Sequence, residues 1–451
     1  MTQPTTTPAT LPGAKWLEFG ALAVVVLACS QLGYVGHPRY GPFIAAADVL
    51  CAALVVVWGF LSWRAGRCAG LVRPPAAVWA WLAVGALSIS NSALDAEGAL
   101  SRDGLKAGVI EVAQLALYFA FAYMLFVDLF GTVAKLRRVC DVLLVAVSVV
   151  VLWGLVDYIV LFHDDHFLVK SAFGNRNVYS AFLVMILPLL FAVAIWEREP
   201  RRLVWTAAVV VGGAITMLGP PHVWILLALL ASLAANRGHR TGRYSLIGLA
   251  ALAVVVGGLL PPNRDANLRE FLDPFERGEL YKLGNAAAPT PSAGAASPEE
   301  PVLIVKKRWL EWQPALAMLS ENIAMGVGAG SYQRRIGETE YYGALPNVKK
   351  AEPDTNNLYL VTAASMGFAG LICLVAYLVQ FQRRARALWQ RATTGTQRGL
   401  AAGLPAAVLG LMAANIFTSL FVRGCSLIWV LLFAMVTVMT REGIAASPRD
   451  Q

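Results

Sequence analysis

The sequence predicts an all-α polytopic membrane protein of about twelve transmembrane helices, with one large loop between the ninth and tenth. Three observations predict it. Of 451 residues, 57% are hydrophobic and only 14% charged, a balance foreign to a water-soluble domain. Apolar windows recur at about the 20 residues that cross a bilayer core of roughly 30 Å. The basic residues between those windows alternate between abundant and scarce.

Taken in order, MTQPTTTPATLPGAK (residues 1–15) has no basic leader region and no small-residue cleavage site after a short apolar core, and reads as a disordered tail. Nine spans follow within 16–260, near 16–35, 42–63, 75–90, 107–128, 140–162, 178–196, 203–219, 222–236 and 244–260. The third, seventh and eighth are short, so their ends are the least sharply marked. After the loop 261–355, three more spans near 357–380, 399–418 and 421–440 occupy residues 356–440, and 441–451 form a second tail. Cys29, Cys51, Cys140, Cys373 and Cys425 fall in or at the ends of spans and Cys68 in a short loop. Their spacing suits neither a disulfide framework nor a metal site.

Orientation follows from charge. With a cytoplasmic N-terminus, the inner loops hold 17 Lys and Arg residues and the short outer loops 6, namely Arg39, Arg102, Lys106, Lys170, Arg176 and Arg423. Both termini are therefore expected in the cytoplasm. The net charge of +9 is mostly this bias and needs no nucleic acid to explain it.

The loop 261–355 is nearly neutral, with 11 basic against 13 acidic residues. Its NAAAPTPSAGAASPEEP stretch (285–301) has too little apolar surface to offset the entropy of ordering and reads as a disordered insert. Residues 302–335 carry helical apolar spacing and end in a Gly-rich turn, GVGAGSY.

The outer side offers an arginine-led set: Arg102, Arg176, Arg308, Arg334, Arg335 and Arg423, with Lys306 and Lys307. Guanidinium groups bind phosphate oxygens bidentately, so the set suits an anionic or phosphorylated ligand. No Asp-x-Asp, His-Glu-x-x-His or Gly-x-Ser-x-Gly motif points to a metal enzyme or serine hydrolase. Each residue also has a plainer role. Arg176, flanked by Asn175 and Asn177, suits an interfacial anchor as well as a ligand contact. Arg308 and Glu311 suit an ordinary helix pair beside Trp309 and Trp312. His163, Asp164, Asp165 and His166 are four consecutive residues that cannot easily converge on one ion. His222 suits a polar helix start, and the glycines of GVGAGSY suit either a phosphate cradle or a tight turn. In AEPDTNNLYLVTAASMGFAG (351–370) a polar head enters an apolar helix across Asn356 and Asn357, where Asn356 suits a helix cap.

The order of these segments carries a resemblance. RWLEWQPALAMLSENIAMGVGAGSY followed by NNLYLVTAASMGFAGL, with FGNRNVYSAFLVMILPLL and SNSALDAEGALSRDGLKAGVIEV before them, resembles the O-antigen ligase and polymerase superfamily of bacterial envelopes over nearly the whole chain. The resemblance implies a GT-C-like membrane glycosyltransferase of the bacterial inner membrane with its large loop in the periplasm. It implies a metal-independent, inverting transfer, without cofactor, of glycan from an undecaprenyl-diphosphate donor. The acceptor is a hydroxyl of lipid A–core for a ligase, or of a second lipid-linked repeat for a polymerase.

On this basis Arg176 and Arg308 would bind diphosphate with Arg334 or Arg335 assisting. Asn356, Asp354 and His222 would serve the acceptor side, and Asn175, Asn177, Asn357, Trp309, Trp312 and Tyr332 would contact substrate. Two positions depart from the ligase pattern: Pro221 stands where an Arg is expected before the eighth span, and Asn356 where a His is expected. An amide cannot take a proton at neutral pH but can orient a hydroxyl. The architecture favours a ligase and the two departures favour a polymerase. A transporter or non-catalytic relative, a role also proposed within the superfamily, would need polar residues near midplane and access to both faces.

Overall fold

The computed structural model describes residues 13–30, 44–94, 100–160, 169–173, 175–217, 222–235, 304–336, 355–420 and 425–445, with the backbone alone for 235, 304–311 and 443–445. Outside them lie the predicted ninth span 244–260, the insert 285–301, His163 to His166, Pro221, Asp354, Arg423 and most of both tails. The side chains of Arg308, Trp309 and Glu311 lie outside them too.

Every other predicted span contains a helix: α1 Ala14–Ala28, α2 Ala46–Arg64, α3 Ala76–Ser92, α4 Arg102–Leu129, α5 Val133–Val160, α6 Arg176–Glu197, α7 Pro200–Thr216 and α8 His222–Ala235. The predicted loop contributes α9 Ile304–Glu321 and one turn, α10 Tyr332–Arg335. Then come α11 Leu358–Ala387, α12 Gly395–Ala414 and α13 Cys425–Ala445. Among the described residues no strand forms, and six helices (α2, α4, α5, α6, α11 with its 3₁₀ extension, and α13) are long and apolar enough to cross a bilayer. The protein is thus a multi-pass, all-α membrane protein. Large apolar side chains such as Phe60, Trp63, Leu152 and Ile159 are exposed on its exterior, as lipid contact allows and water does not.

Helix ends follow local chemistry. Ser101 caps α4 by accepting from the Gly104 N–H, and Thr394 with Gln397 forms a capping box at α12. Pro200 opens α7, where its missing N–H costs nothing. The tenth span was expected to end near 380, yet α11 runs on to Ala387, because FQRRARA favours helix and places Arg384 and Arg386 in the last turn, where the helix dipole welcomes cations. Hydropathy windows stop at the first charge; helices need not.

The axis of the bundle is α6, buried from Val178 to Ile195. It packs on α12 because α12 turns glycines toward it. A Cβ at Gly399 would lie 2.7 Å from Val193 Cα, one at Gly403 2.9 Å from Leu189 Cα, and one at Gly410 2.6 Å from the Val184 carbonyl. Lipid offers no hydrophobic drive for helix association, so close backbone approach at small residues supplies it. Larger side chains fill the other side, where Phe381 and Phe433 stack with centroids 4.2 Å apart and the Tyr123 and Thr437 hydroxyls share a 2.8 Å hydrogen bond.

One end of the bundle is tied by ion pairs. Glu197 accepts from Arg137 Nε at 3.0 Å, Arg202 Nη1 at 2.5 Å and Thr396 Oγ1 at 2.7 Å, and Arg202 also reaches Asp141 at 3.0 Å. Glu18 of α1 meets Lys135 at 2.9 Å, and Glu442 of α13 accepts from the Val133 N–H at 3.0 Å. The first and last described helices therefore both reach the first turn of α5, so the described chain starts and ends on one side.

Candidate functional site

At the opposite end, the starts of α6, α8 and α11 meet the end of α12. Asn175 caps α6, its side chain accepting from the Asn177 N–H at 2.8 Å, and half-buried Arg176 opens the helix. Asn177 Nδ2 donates across to Asn356 Oδ1 at 3.5 Å, the long limit of a hydrogen bond. Asn356 is buried and left-handed, at φ 49°. The cap of α11 is its neighbour Asn357, whose Oδ1 accepts from the Leu360 N–H at 3.1 Å. Thus the capping role anticipated for Asn356 falls one residue later, and Asn356 forms the bend before the helix.

The end of α12 seals this junction. The Leu358 N–H donates to the Asn415 and Thr418 carbonyls at 2.9 and 3.1 Å. Asn415 in turn accepts from the Leu420 N–H at 2.9 Å. His222, at the start of α8, is fully buried with its ring edge-on to Phe417, centroids 6.3 Å apart.

The loop-derived segments arrive through an elbow, residues 322–331, inserted among α3, α4 and α11. At Gly367, φ 66° and ψ −170° interrupt α11. The interrupted helix and the elbow complete each other: Val327 N–H donates to Ala364 O at 2.8 Å, Gly328 N–H to Ser365 O at 2.9 Å, and Phe368 N–H to Ile323 O at 2.9 Å. A broken span survives where such partners re-satisfy its backbone. From α3, Asn91 donates to the Gly326 carbonyl at 2.9 Å, Ser92 donates to the Ala329 carbonyl, and Ser88 accepts from the Ala329 N–H at 3.1 Å. From α4, the Glu111 carboxylate accepts from the Gly330 N–H. Gly326 N–H donates to Asn322 O and Ser331 N–H to Gly328 O. Every N–H from 326 to 331 is therefore spent inside the protein, which makes GVGAGSY a structural turn and leaves it no phosphate cradle.

Tyr332 leaves the elbow with its ring buried among Ala315, Met318, Val327, Ile336 and Ala364, and its hydroxyl accepts from the Thr355 N–H at 2.8 Å. Arg334 Nη1 donates to Ser101 Oγ at 2.9 Å, while Arg335 Nη2 reaches Glu321 Oε2 at 3.3 Å. Trp312 is half-buried on α9.

Of the residues singled out in the sequence, the fold thus brings Asn175, Arg176, Asn177, Asn356 and Asn357 to one junction and ties Tyr332 to it through Thr355. Arg334 and Arg335 are held by α4 and by the end of α9. No motif in the sequence assigns a role to Ser88, Ser92, Glu111, Thr355 or Asn415, yet the fold places them in the elbow and junction contacts. The signal for the first three was available: polar residues inside apolar helices need partners. Among the described residues no group of three His, Cys, Asp or Glu side chains could hold a metal ion. The junction can orient hydroxyl and anionic groups with amides and one guanidinium. Neither models of known protein families nor characterised proteins match the chain.

Proposed function

We propose that the protein is an inner-membrane glycan transferase that moves saccharide from an undecaprenyl-diphosphate donor to an acceptor hydroxyl at the periplasmic face, that of lipid A–core in the ligase form. The junction of Arg176, Asn177 and Asn356 carries this reading: a cation, two amides and the starts of three helices gathered at the bundle end away from the ion-paired turns. Both tails and those turns would then face the cytoplasm.

In this scheme Arg176 and Arg308 bind the diphosphate, with Arg334 or Arg335 assisting. The acceptor oxygen attacks the anomeric carbon, a new C–O bond forms, and the bond from that carbon to the phosphate oxygen breaks. The electron pair leaves with the diphosphate, where the arginines stabilise it as charge develops. The acceptor proton passes to solvent or to Asp354. Asn356 orients the acceptor through its side-chain amide, which can both donate and accept a hydrogen bond. The amide at 356, in place of a base, suits a reaction whose leaving group needs no protonation; it also suits the polymerase form, in which the acceptor is a second lipid-linked glycan.

The test is purified protein in nanodiscs with a lipid-diphosphate glycan donor. Arg176→Ala should weaken donor binding and transfer together by roughly 10- to 100-fold, as expected for losing a charge-assisted hydrogen bond. Arg176→Lys should recover only part, because a point charge does not reproduce the fork. Donor binding unaffected by Arg176→Ala would remove the basis of the proposal.

A further inference from the structure

We infer that Tyr332 is a positioning residue that sets the conformation of Asn356, and that the glycine elbow serves to hold Tyr332; the inference rests on Asn356 acting on the acceptor side. Asn356 is one of three non-glycine residues with positive φ among the described residues. Such a residue keeps that conformation where its surroundings over-determine it. On its C-terminal side, Asn357 and Leu358 are pinned by the cap to Leu360 and by the carbonyls of Asn415 and Thr418. On its N-terminal side, Thr355 is fully buried and its N–H is pinned by the Tyr332 hydroxyl at 2.8 Å. Asn356 is therefore clamped between two fixed peptides, and the first clamp is a phenol 23 residues away in sequence.

That phenol is itself immobilised. Its ring is 2% exposed, within a small apolar cluster drawn from α9, the elbow, α10 and α11. The elbow just before it is bonded to α3, α4 and the break in α11. Each apolar contact would survive in a phenylalanine; the hydroxyl is the part that reaches the site. Its loss would leave the buried Thr355 N–H without this partner and release the backbone on which the Asn356 amide is mounted.

The experiment compares wild type, Tyr332→Phe, Asn356→Ala and the double variant in nanodiscs with the lipid-diphosphate donor. It measures donor affinity, turnover, thermal midpoint and amide exchange over residues 355–358. Tyr332→Phe should bind donor as wild type does, melt within a few degrees of it, turn over about tenfold more slowly, and exchange faster at Thr355 and Asn356. In the Asn356→Ala background it should cause no further loss, because the group it positions is gone. Losses that multiply in the double variant, or a Tyr332→Phe protein with wild-type turnover, would overturn the inference. A wild-type protein that binds no donor would instead overturn the transferase reading. Amide exchange, which needs no donor, would then decide the positioning role: unchanged exchange at Thr355 and Asn356 ends it.

Discussion

Replacing Gly367 by alanine attacks the joint on which the candidate site hangs. Two penalties combine there. The backbone sits at φ 66° and ψ −170°, a region essentially confined to glycine, where another residue costs on the order of 1–3 kcal/mol. The added Cβ would also fall 2.1 Å from the Ala324 carbonyl oxygen and 2.5 Å from the Met325 nitrogen. These are backbone atoms of the elbow, so the elbow itself must move. Moving it endangers the bonds from Phe368 to Ile323, from Val327 to Ala364 and from Gly328 to Ser365, each worth about 0.5–1.5 kcal/mol net. The sum is a loss of about 3 kcal/mol or more. Gly59→Ala is the control, because its Cβ would meet nothing within 4 Å and alanine is the better helix former by about 0.5–1 kcal/mol. In detergent, Gly367→Ala should melt well below wild type and be cut by protease in the elbow, while Gly59→Ala should melt at or slightly above it. A Gly367→Ala protein with wild-type melting and protease resistance would refute the claim that the elbow fills the break.

Two further outcomes follow from the opposite end and from orientation. Glu197→Ala should destabilise by about 3 kcal/mol, because it strips a partner from the buried guanidinium of Arg202; Glu199→Ala, whose side chain is 52% exposed and lies 3.6 Å from Arg137, should cost under about 1 kcal/mol, and equal thermal shifts for the two would contradict the hub. Cys68 is the one exposed cysteine among the described residues, so an impermeant maleimide applied to spheroplasts should leave it unlabelled but should label a cysteine placed at exposed Gln333; the reverse pattern would invert the proposed orientation.

The six helices long enough to cross a bilayer were legible because a bilayer imposes one length and one chemistry, and α6 illustrates it: an asparagine cap, a run of apolar residues, then Glu197 where the helix ends. The elbow was half legible. Glycines in GVGAGSY announced a tight turn, but a turn and an anion cradle use the same residues, and only the destination of each N–H separates them. Most of those destinations lie in α3, α4 and α11, more than 200 residues away in the case of Ser88, and no local pattern encodes so distant a pairing. The break at Gly367 was hidden for a related reason: an apolar run with a single glycine reads as continuous helix, and its interruption follows from the elbow that occupies it. The same holds for Asn356 and Asn357. Either asparagine could cap a helix on sequence alone, and what separates them is the Thr355 peptide, pinned by Tyr332, which commits the chain to a left-handed bend one residue earlier. The glycines that suited an anion cradle thus build the scaffold, and the amide that suited a cap is the one the scaffold holds in a left-handed bend.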